Sequence, residues 1–571
     1  MKKIYFLILM GVWLMLAAYA VTAQGSLNPD QTKKIDQLFK QYNQPGSPGY
    51  ALGIIKNNQL VYQKGYGYAN LEYDIPMTDS AMFYIGSMAK QFTAAALLIL
   101  EEAGKLDFEK EVRHYLPEFP QYKHPIKVSH LVHHISGIRE TNSLQLFQGI
   151  QSGFEEVFDT DDLYQLVLNQ KELNFKPGQQ YRYSSGGYAV LAKIVEKISG
   201  KSFRQFAKER IFEPLQMHHT FVCDNHREVV KNRVVSYWPV GKNKWERRSQ
   251  IFDAYGDGGV ITCVKDLVKW DQAFYEDKLG VKNFAQKMYQ KGKLNNSKSI
   301  FYARALDVFE HKGRQMIVHN GGMLGFRVDM GRFPEEKLTI IALANSAYSH
   351  PTGKIREIAD ILLPVANNNI TKQSKVPAKA VKIANPSKLA AYEGYYWSHD
   401  MNGFRHIAYR DGKLYWDSGN PKQGVPLKPL GGWMFNLGDY DVSVTFQPKQ
   451  QTMKVRYGGM NDQEYIFQKY DPTPPTALAE LRKYVGEYYS DELQTTYHFY
   501  IKEGKLYFRI NRGKEQPLFP KTQTSRVVWN SKQMVWIGFG EIKFDVNKKG
   551  AVKGLAIGDS RVKGVYFKKQ E

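Results

Sequence analysis

Cysteine is nearly missing from this sequence: Cys223 and Cys263 are the only two in 571 residues. That excludes a disulfide framework and allows at most one bridge, with two unpaired buried thiols as the expected state. Long apolar runs are absent beyond the first two dozen residues, so no later segment is expected to cross a bilayer as a helix. Metal-ligand spacing is absent as well. His133-His134 and His218-His219 are adjacent pairs with no recognisable ligand set around them; the first pair reads as loop structure, and no cofactor or metal is expected. Concentrated charge is also missing. The 78 Lys and Arg outnumber the 56 Asp and Glu to give +22, but no basic block alternates with aromatics. The excess therefore reads as a solvated surface, with attraction to acidic polymers as the alternative, and no nucleic-acid partner is expected.

The apolar share of 43% and aromatic share of 13% are those of a globular chain. Its length calls for several domains with substantial cores. The N-terminus runs Met1-Lys2-Lys3, then apolar from Ile4 to Ala20, then Val21-Thr22-Ala23 before polar Gln24. This order reads as a secretory signal peptide over residues 1–23, cleaved after Ala23, with an uncleaved anchor as the alternative. The expected location is periplasmic or extracellular, after export across the inner membrane. No Cys lies near the cleavage site to carry a lipid.

Helical apolar spacing covers Gln31 to Tyr42, and strand-like runs follow at Tyr50 to Ile55 and Leu60 to Gln63, around a turn at Asn57-Asn58. Matching runs lie far downstream at Gln315 to His319 and Leu338 to Asn345. One antiparallel sheet assembled from both ends of a domain, with a mostly helical stretch between them, accounts for this arrangement over residues 24–365. From Ala366 to Pro386 the composition turns to Asn, Lys, Ser and Pro, giving a linker at 366–387. Such a linker predicts that residues 24–365 fold without the C-terminal remainder of the chain.

Beyond the linker the sequence repeats. Ala391-Tyr392-Glu393-Gly394-Tyr395-Tyr396 and Lys483-Tyr484-Val485-Gly486-Glu487-Tyr488-Tyr489 recur about 92 residues apart. Gly412-Lys413-Leu414-Tyr415 and Gly504-Lys505-Leu506-Tyr507 recur at the same offset. Apolar and polar residues alternate within each copy, so two small all-β barrels are expected, at 388–471 and 472–571, joined near Pro472-Thr473-Pro474-Pro475.

Three elements carry chemistry. Ser87-Met88-Ala89-Lys90 opens an apolar run ending before Gly104, and residues three apart share a helical face, so Lys90 can lie against the Ser87 hydroxyl. An amine accepts a proton only when uncharged, a form that burial and the positive end of a helix both favour. The segment Ser560-Arg561-Val562-Lys563 matches the same spacing but reads as a strand, where positions three apart face opposite ways. The second element is a turn-rich loop, Lys176 to Tyr188, presenting Tyr183-Ser184-Ser185 ahead of a helix from Ala189 to Ile198. The third is His319-Asn320-Gly321-Gly322 at the end of an apolar strand, where adjacent glycines let a substrate approach backbone N–H groups.

Together with Leu131-Val132-His133-His134-Ile135-Ser136-Gly137-Ile138, the stretch Gly256 to Asp266 and the His-x-Gly-x-x-x-Gly pattern from His319 to Gly325, these elements resemble one family. It is the serine hydrolases related to class C β-lactamases, D-alanyl-D-alanine carboxypeptidases, esterases and D-aminopeptidases. The resemblance covers roughly residues 30–365 and implies an α/β (α+β) β-lactamase-like domain, followed here by lipocalin-like barrels. It makes Ser87 the nucleophile and Lys90 and Tyr183 the groups that take and return its proton. Ser87 and Gly322 would supply oxyanion N–H groups, with Gly321 beside them. His319 stands where β-lactamases carry a Lys, and Ser185 where they carry the Asn of Tyr-x-Asn. A neutral imidazole lacks the fixed charge, and serine is a shorter single donor. The expected activity is hydrolysis of an amide or ester in a small peptide, D-amino-acid derivative or ester, with cell-wall-derived peptides among the candidates. Alternatives are a β-lactamase or D,D-carboxypeptidase, or a non-catalytic peptidoglycan- or lipid-binding envelope protein.

Overall fold

The computed structural model describes residues 27–150, 157–241, 243–363, 386–398, 403–417, 424–431, 433–437, 442–457, 463–470, 478–511, 516–520, 525–528 and 541–570. The expected signal segment and most of the expected linker lie outside them. Among the described residues no helix is long and apolar enough to cross a membrane. The chain divides into two compact units, one formed by residues 1–106, 199–290 and 304–368, the other by 107–198, 291–303 and 369–571.

The first unit is built on an antiparallel sheet. Its strands are β1 Tyr50–Lys56, β2 Gln59–Tyr66, β3 Asp307–His311, β4 Arg314–Met323, β5 Phe326–Phe333 and β6 Leu338–Ala344. Their order is β3-β4-β5-β6-β1-β2, so the first strand of the domain pairs with its last, Tyr50 opposite Ala344 and Lys56 opposite Leu338. Asn57 and Asn58 adopt φ of 52° and 62° at the β1–β2 turn, the left-handed pair that suits the twist of a two-residue hairpin and that Asn tolerates. Period-two alternation sends Leu52 and Ile54 to one face, where they pack with Ile35 and Phe39 of the helix Pro29–Phe39 and Ile355 and Ile358 of the helix Pro351–Leu362. Each such fully buried side chain contributes about 2 kcal/mol. On the opposite face a Cβ at Gly53 would lie 2.5 Å from Val264 Cγ1, so the glycine lets the helix Val264–Gln272 close down on the sheet.

The structure corrects the expected strands in two places. Two strands that the apolar pattern does not reveal, β3 and β5, complete the sheet. The apolar strand also does not end at His319: β4 continues to Met323, because Gly321 and Gly322 pair with Val328 and Arg327 of β5. The glycines therefore lie inside the ladder, not in a turn beyond it.

The second unit combines helices, among them Thr141–Phe147, Thr160–Leu168 and Ser185–Ser199, with two closed eight-stranded barrels. The barrels run from Gly394–Ser398 to Gln463–Tyr470 and from Gly486–Ser490 to Val565–Lys569. Each closes by pairing its first strand with its last. The repeated motif has a structural cause. Gly394 and Gly486 hold φ of 141° and 138°, which side chains rarely adopt. That bend lets the hydroxyls of Tyr396 and Tyr488 donate to the carbonyls of Tyr392 and Tyr484, both at 2.9 Å. In each barrel a lysine of the last strand, Lys469 or Lys569, donates to the main-chain carbonyl of the residue that opens the motif, Ala391 or Lys483.

The segment Ser560–Lys563 is not strand, contrary to expectation. It forms the turn between the strands Val552–Gly558 and Val565–Lys569, where Asp559 accepts hydrogen bonds from the backbone N–H groups of Arg561 and Val562.

The second barrel shares its core with the helices of its unit. Tyr497, Phe499 and Phe508 cluster with Leu144, Phe147 and Leu166, and the Tyr497 hydroxyl donates to the Phe147 carbonyl at 2.8 Å. Beside this cluster Arg139 Nη1 meets Glu492 Oε2 at 2.6 Å, the two side chains only 1% and 8% exposed. Removing one partner would strand the other charge in a dry site, which typically costs about 3–5 kcal/mol. Glu492→Ala is therefore expected to lower unfolding stability by about 3 kcal/mol, and Arg139→Met with Glu492→Leu to recover most of it. A denaturation midpoint unchanged in Glu492→Ala would refute the role given to this pair. A fragment ending at residue 365 would expose Leu144, Phe147 and Leu166, so it is expected to melt well below the full chain and bind a hydrophobic dye.

Candidate active site

In the first unit Ser87 lies on a single 3₁₀ turn, Gly86–Ala89, that leads into the apolar helix Lys90–Glu102. Lys90 is fully buried, and its Nζ donates to Ser87 Oγ at 3.1 Å and to the Asp257 carbonyl at 2.6 Å. The second bond fixes where the amine sits. One turn further on, Thr93 donates to the Gly256 carbonyl at 2.7 Å, and the Gly259 N–H donates to the Tyr84 hydroxyl at 3.0 Å. The glycine-rich stretch Gly256–Gly259 thus lies along the base of the Ser87 turn.

β4 runs against the same turn, backbone to backbone. A Cβ on Gly321 would sit 1.9 Å from the Ile85 carbonyl oxygen, and one on Gly86, whose φ is +50°, would sit 3.0 Å from Gly322 N. Only glycine permits this approach, which brings the Gly322 amide close to the residue preceding Ser87. His319, on the same strand, is 2% exposed, and its Nδ1 lies 2.7 Å from the Asn320 carbonyl. A carbonyl can only accept, so Nδ1 carries the proton and the neutral ring presents Nε2 as an acceptor. Burial lowers the His319 pKa to about 3, and the charge of Lys90 works in the same direction against the bond to Asn320. The imidazole is neutral at pH 7 and supplies no fixed charge.

In the second unit Tyr183 is half-buried in an aromatic cluster. The His134 ring centroid is 4.1 Å from its own and the Tyr302 centroid 6.3 Å. The loop carrying Tyr183 is held by the segment Leu131–Ile138: the Arg182 N–H donates to the His134 carbonyl, the Ser184 N–H to His134 Nδ1, and the Gly178 N–H to the Ile135 carbonyl. The first histidine pair is loop structure, as its sequence setting implied, and His134 takes φ of 56° to do this. Ser185 is buried and starts the helix Ser185–Ser199, its N–H donating to Glu140 Oε2 at 2.5 Å. Helix entry is the role seen for it here.

The second histidine pair has more around it than its spacing implied. His219, Cys263 and Asp266 bring three potential ligand atoms within 4.8 Å of one another, although Asp266 already accepts from the His219 N–H and the Thr220 hydroxyl. Cys223 and Cys263 are both buried, unbridged thiols. Sequence reasoning missed the Asp257 carbonyl, Glu140 and Arg139. The last two directly follow the Leu131–Ile138 motif, and Asp257 lies between Gly256 and Gly258, so adjacency to the motifs was the available signal.

This architecture defines a serine hydrolase of the β-lactamase-related type. The chain belongs to the Beta-lactamase family, which it matches over residues 35–363. Penicillin-binding protein 4* of Bacillus subtilis is 27% identical over 336 residues, covering 56% of this chain and 73% of that protein. A D-aminopeptidase of Brucella melitensis is 22% identical over 541 residues, covering 91% of this chain and 96% of the relative. Among solved structures, the octameric penicillin-binding protein homologue from Pyrococcus abyssi shares the fold at a TM-score of 0.55 and 22% identity, covering 85% of this chain and 99% of its own.

The geometry carries two expected outcomes. Gly321→Ala, whose Cβ would collide with the Ile85 carbonyl, is expected to slow acylation about a hundredfold or more. That loss should far exceed the effect of Gly322→Ala, whose Cβ would meet only ordinary contacts at 3.4 Å and beyond. Equal rates for the two variants would count against the close approach. The second concerns acid. Between the ordinary histidine pKa of 6.5 and the folded value of about 3, the unfolded chain binds a proton that folded His319 refuses, so stability falls as pH drops through that window. The slope from this one group is about 1.4 kcal/mol per pH unit. Equilibrium unfolding of His319→Gln between pH 6.5 and 4.5 should be correspondingly less acid-sensitive than that of the unaltered protein, and parallel curves would contradict this.

Proposed function

We propose that the protein is an exported hydrolase of short peptides, amides or esters of D-amino acids, working through an acyl-Ser87 intermediate. The observation that carries this reading is the Lys90 amine, 3.1 Å from Ser87 Oγ and held there by the Asp257 carbonyl. In its uncharged form that amine takes the hydroxyl proton as Oγ attacks the substrate carbonyl. The backbone N–H groups of Ser87 and Gly322 receive the oxyanion, Tyr183 returns a proton to the leaving group, and water then releases the acyl product. Likeness to a D-aminopeptidase along nearly the whole chain, barrels included, supports the substrate class. Export rests on the basic and apolar N-terminus.

A neutral His319 favours this reading over β-lactam hydrolysis, because no fixed cation is offered at that position to a drug carboxylate. Fluorophosphonate labelling, with peptide mass spectrometry of the product, should place the adduct on Ser87. Ser87→Ala should abolish both labelling and ester turnover, and Lys90→Ala should slow acylation at least about a thousandfold. Full activity in Ser87→Ala would end the proposal. Nitrocefin turnover at pH 7.5 should stay below a kcat/KM of about 10⁴ M⁻¹s⁻¹, the lower end of ordinary enzyme efficiency; a higher value would favour a β-lactamase.

A further inference from the structure

In the first unit a second group of reactive side chains gathers at the end of the strand Val260–Thr262, the end away from Asp257. That strand is the middle of a three-stranded sheet, between Phe83–Tyr84 and Phe221–Val222. Phe221 pairs with Ile261 and Val222 with Val260. Two further steps of this antiparallel register set Thr220 across from Thr262, where the hydroxyls meet at 2.6 Å, and His219 across from Cys263. Cys263 is also the N-cap of the helix Val264–Gln272, and Asp266 lies in the first turn of that helix. His219 and Asp266 are 47 residues apart, so their meeting with Cys263 follows from strand pairing and not from any local spacing.

The three potential ligand atoms lie within 4.8 Å of one another, with His219 Nδ1 and Asp266 Oδ1 at 3.3 Å. Atoms bound to one tetrahedral zinc ion, at bond lengths of about 2.0–2.3 Å, stand roughly 3–4 Å apart. A small side-chain movement therefore separates the group from that geometry. Cys263 and Asp266 are 1% and 4% exposed, whereas the His219 side chain is 64% exposed. Two ligands form a buried base and the third is free to adjust. The carboxylate is already oriented, because Oδ2 accepts from the His219 N–H and the Thr220 hydroxyl, both at 2.8 Å, which leaves Oδ1 turned to the imidazole. Outer hydrogen bonds of this kind are what hold a ligating oxygen on a metal. The helix N-terminus at Cys263 favours the thiolate, the form that binds metal.

We infer that His219, Cys263 and Asp266 form a binding site for a borderline-soft divalent cation, with zinc(II) as the matching ion. A thiolate, an imidazole and a carboxylate are zinc's own donor types, while calcium and magnesium take oxygen donors and gain nothing from sulfur. Binding exchanges the Cys263 thiol proton for the metal and keeps the His219 ring proton on Nε2, so that Nδ1 is the ligand; water completes the tetrahedron. The ion fastens the segment that precedes Phe221 to the start of the helix Val264–Gln272, and with them the end of the strand Val260–Thr262. The inference is independent of the proposed hydrolytic chemistry.

The test uses the untagged full-length protein, stripped with a chelator and titrated with zinc(II) or cobalt(II) by calorimetry and absorption spectroscopy. One zinc ion should bind per chain, and excess magnesium or calcium should not displace it. Cobalt should give the near-ultraviolet sulfur-to-metal charge-transfer band that only thiolate ligation produces. His219→Ala, at an exposed side chain, and Cys263→Ser, which keeps the shape of the N-cap, should each weaken zinc binding at least about tenfold, the smallest loss usual even for a partner one step removed from the metal. Cys263→Ser should also abolish the cobalt band, whereas His218→Ala, next in sequence but outside the trio, should leave affinity and band unchanged. Circular dichroism of each variant separates a lost ligand from a lost fold, and the His219→Ala result stands alone if Cys263→Ser is misfolded. No zinc binding by the unaltered protein, affinity that survives in a folded His219→Ala, a cobalt complex without the sulfur band, or displacement by magnesium would each overturn the inference.

Discussion

The backbone contact between the Ser87 turn and β4 is the constraint on which the first unit's chemistry depends. With 1.9 Å between the Ile85 carbonyl oxygen and the place a Cβ would take on Gly321, the two chains meet with no side chain between them. The sheet makes this possible, because β4 is held in register by β5 through the glycines themselves, Gly321 opposite Val328 and Gly322 opposite Arg327. A rigid strand on one side and a rigid helix start on the other leave little freedom for the amides at Ser87 and Gly322. In the proposed mechanism, preorganised N–H groups of this kind need no rearrangement as charge develops on a substrate oxygen. The same closeness explains why a histidine can stand at position 319. Buried away from water, its imidazole remains neutral and presents a lone pair, not a charge.

Lys90 is placed by a similar division of labour. Its spacing from Ser87 is a property of one helical turn, but its aim comes from the Asp257 carbonyl, 167 residues further along the chain. A buried amine with two oxygen partners has few other places to point. In the second unit, Tyr183 depends on His134 and its neighbours, and those on Arg139, Glu140 and the second barrel. The barrel is tied in through apolar contacts and a buried ion pair, so it belongs energetically with the helices it touches.

Features set within a few residues were legible in the sequence. The Ser87–Lys90 pair comes from helical periodicity. The β1–β2 hairpin comes from Asn57-Asn58 between apolar runs, and each barrel from period-two alternation and the repeated Tyr-x-Gly-x-Tyr motif. The strand ending placed at His319 was wrong because Gly321 and Gly322 resemble a turn in local chemistry, while their pairing with β5 is a long-range fact. The same error in reverse made Ser560–Lys563 look like strand: Val562 is apolar because it is buried in the core shared with the helices, not because it belongs to a ladder.

Local spacing and residue chemistry thus determined the hairpin of the sheet, the two barrels and the pairing of Ser87 with Lys90, since these depend on backbone periodicities within short windows. The class of fold and the nucleophile's role followed from the resemblance of several motifs taken together. The partners of those groups were decided only by tertiary structure. Every residue carries a carbonyl, so nothing in the sequence distinguishes that of Asp257. No local pattern joins Arg139 to Glu492, or Arg561 to the ring of Tyr183, across hundreds of residues. Their meeting depends on how the second barrel seats on the helices, which is settled by the packing of Leu144, Phe147 and Val562 and not by the charges it brings together.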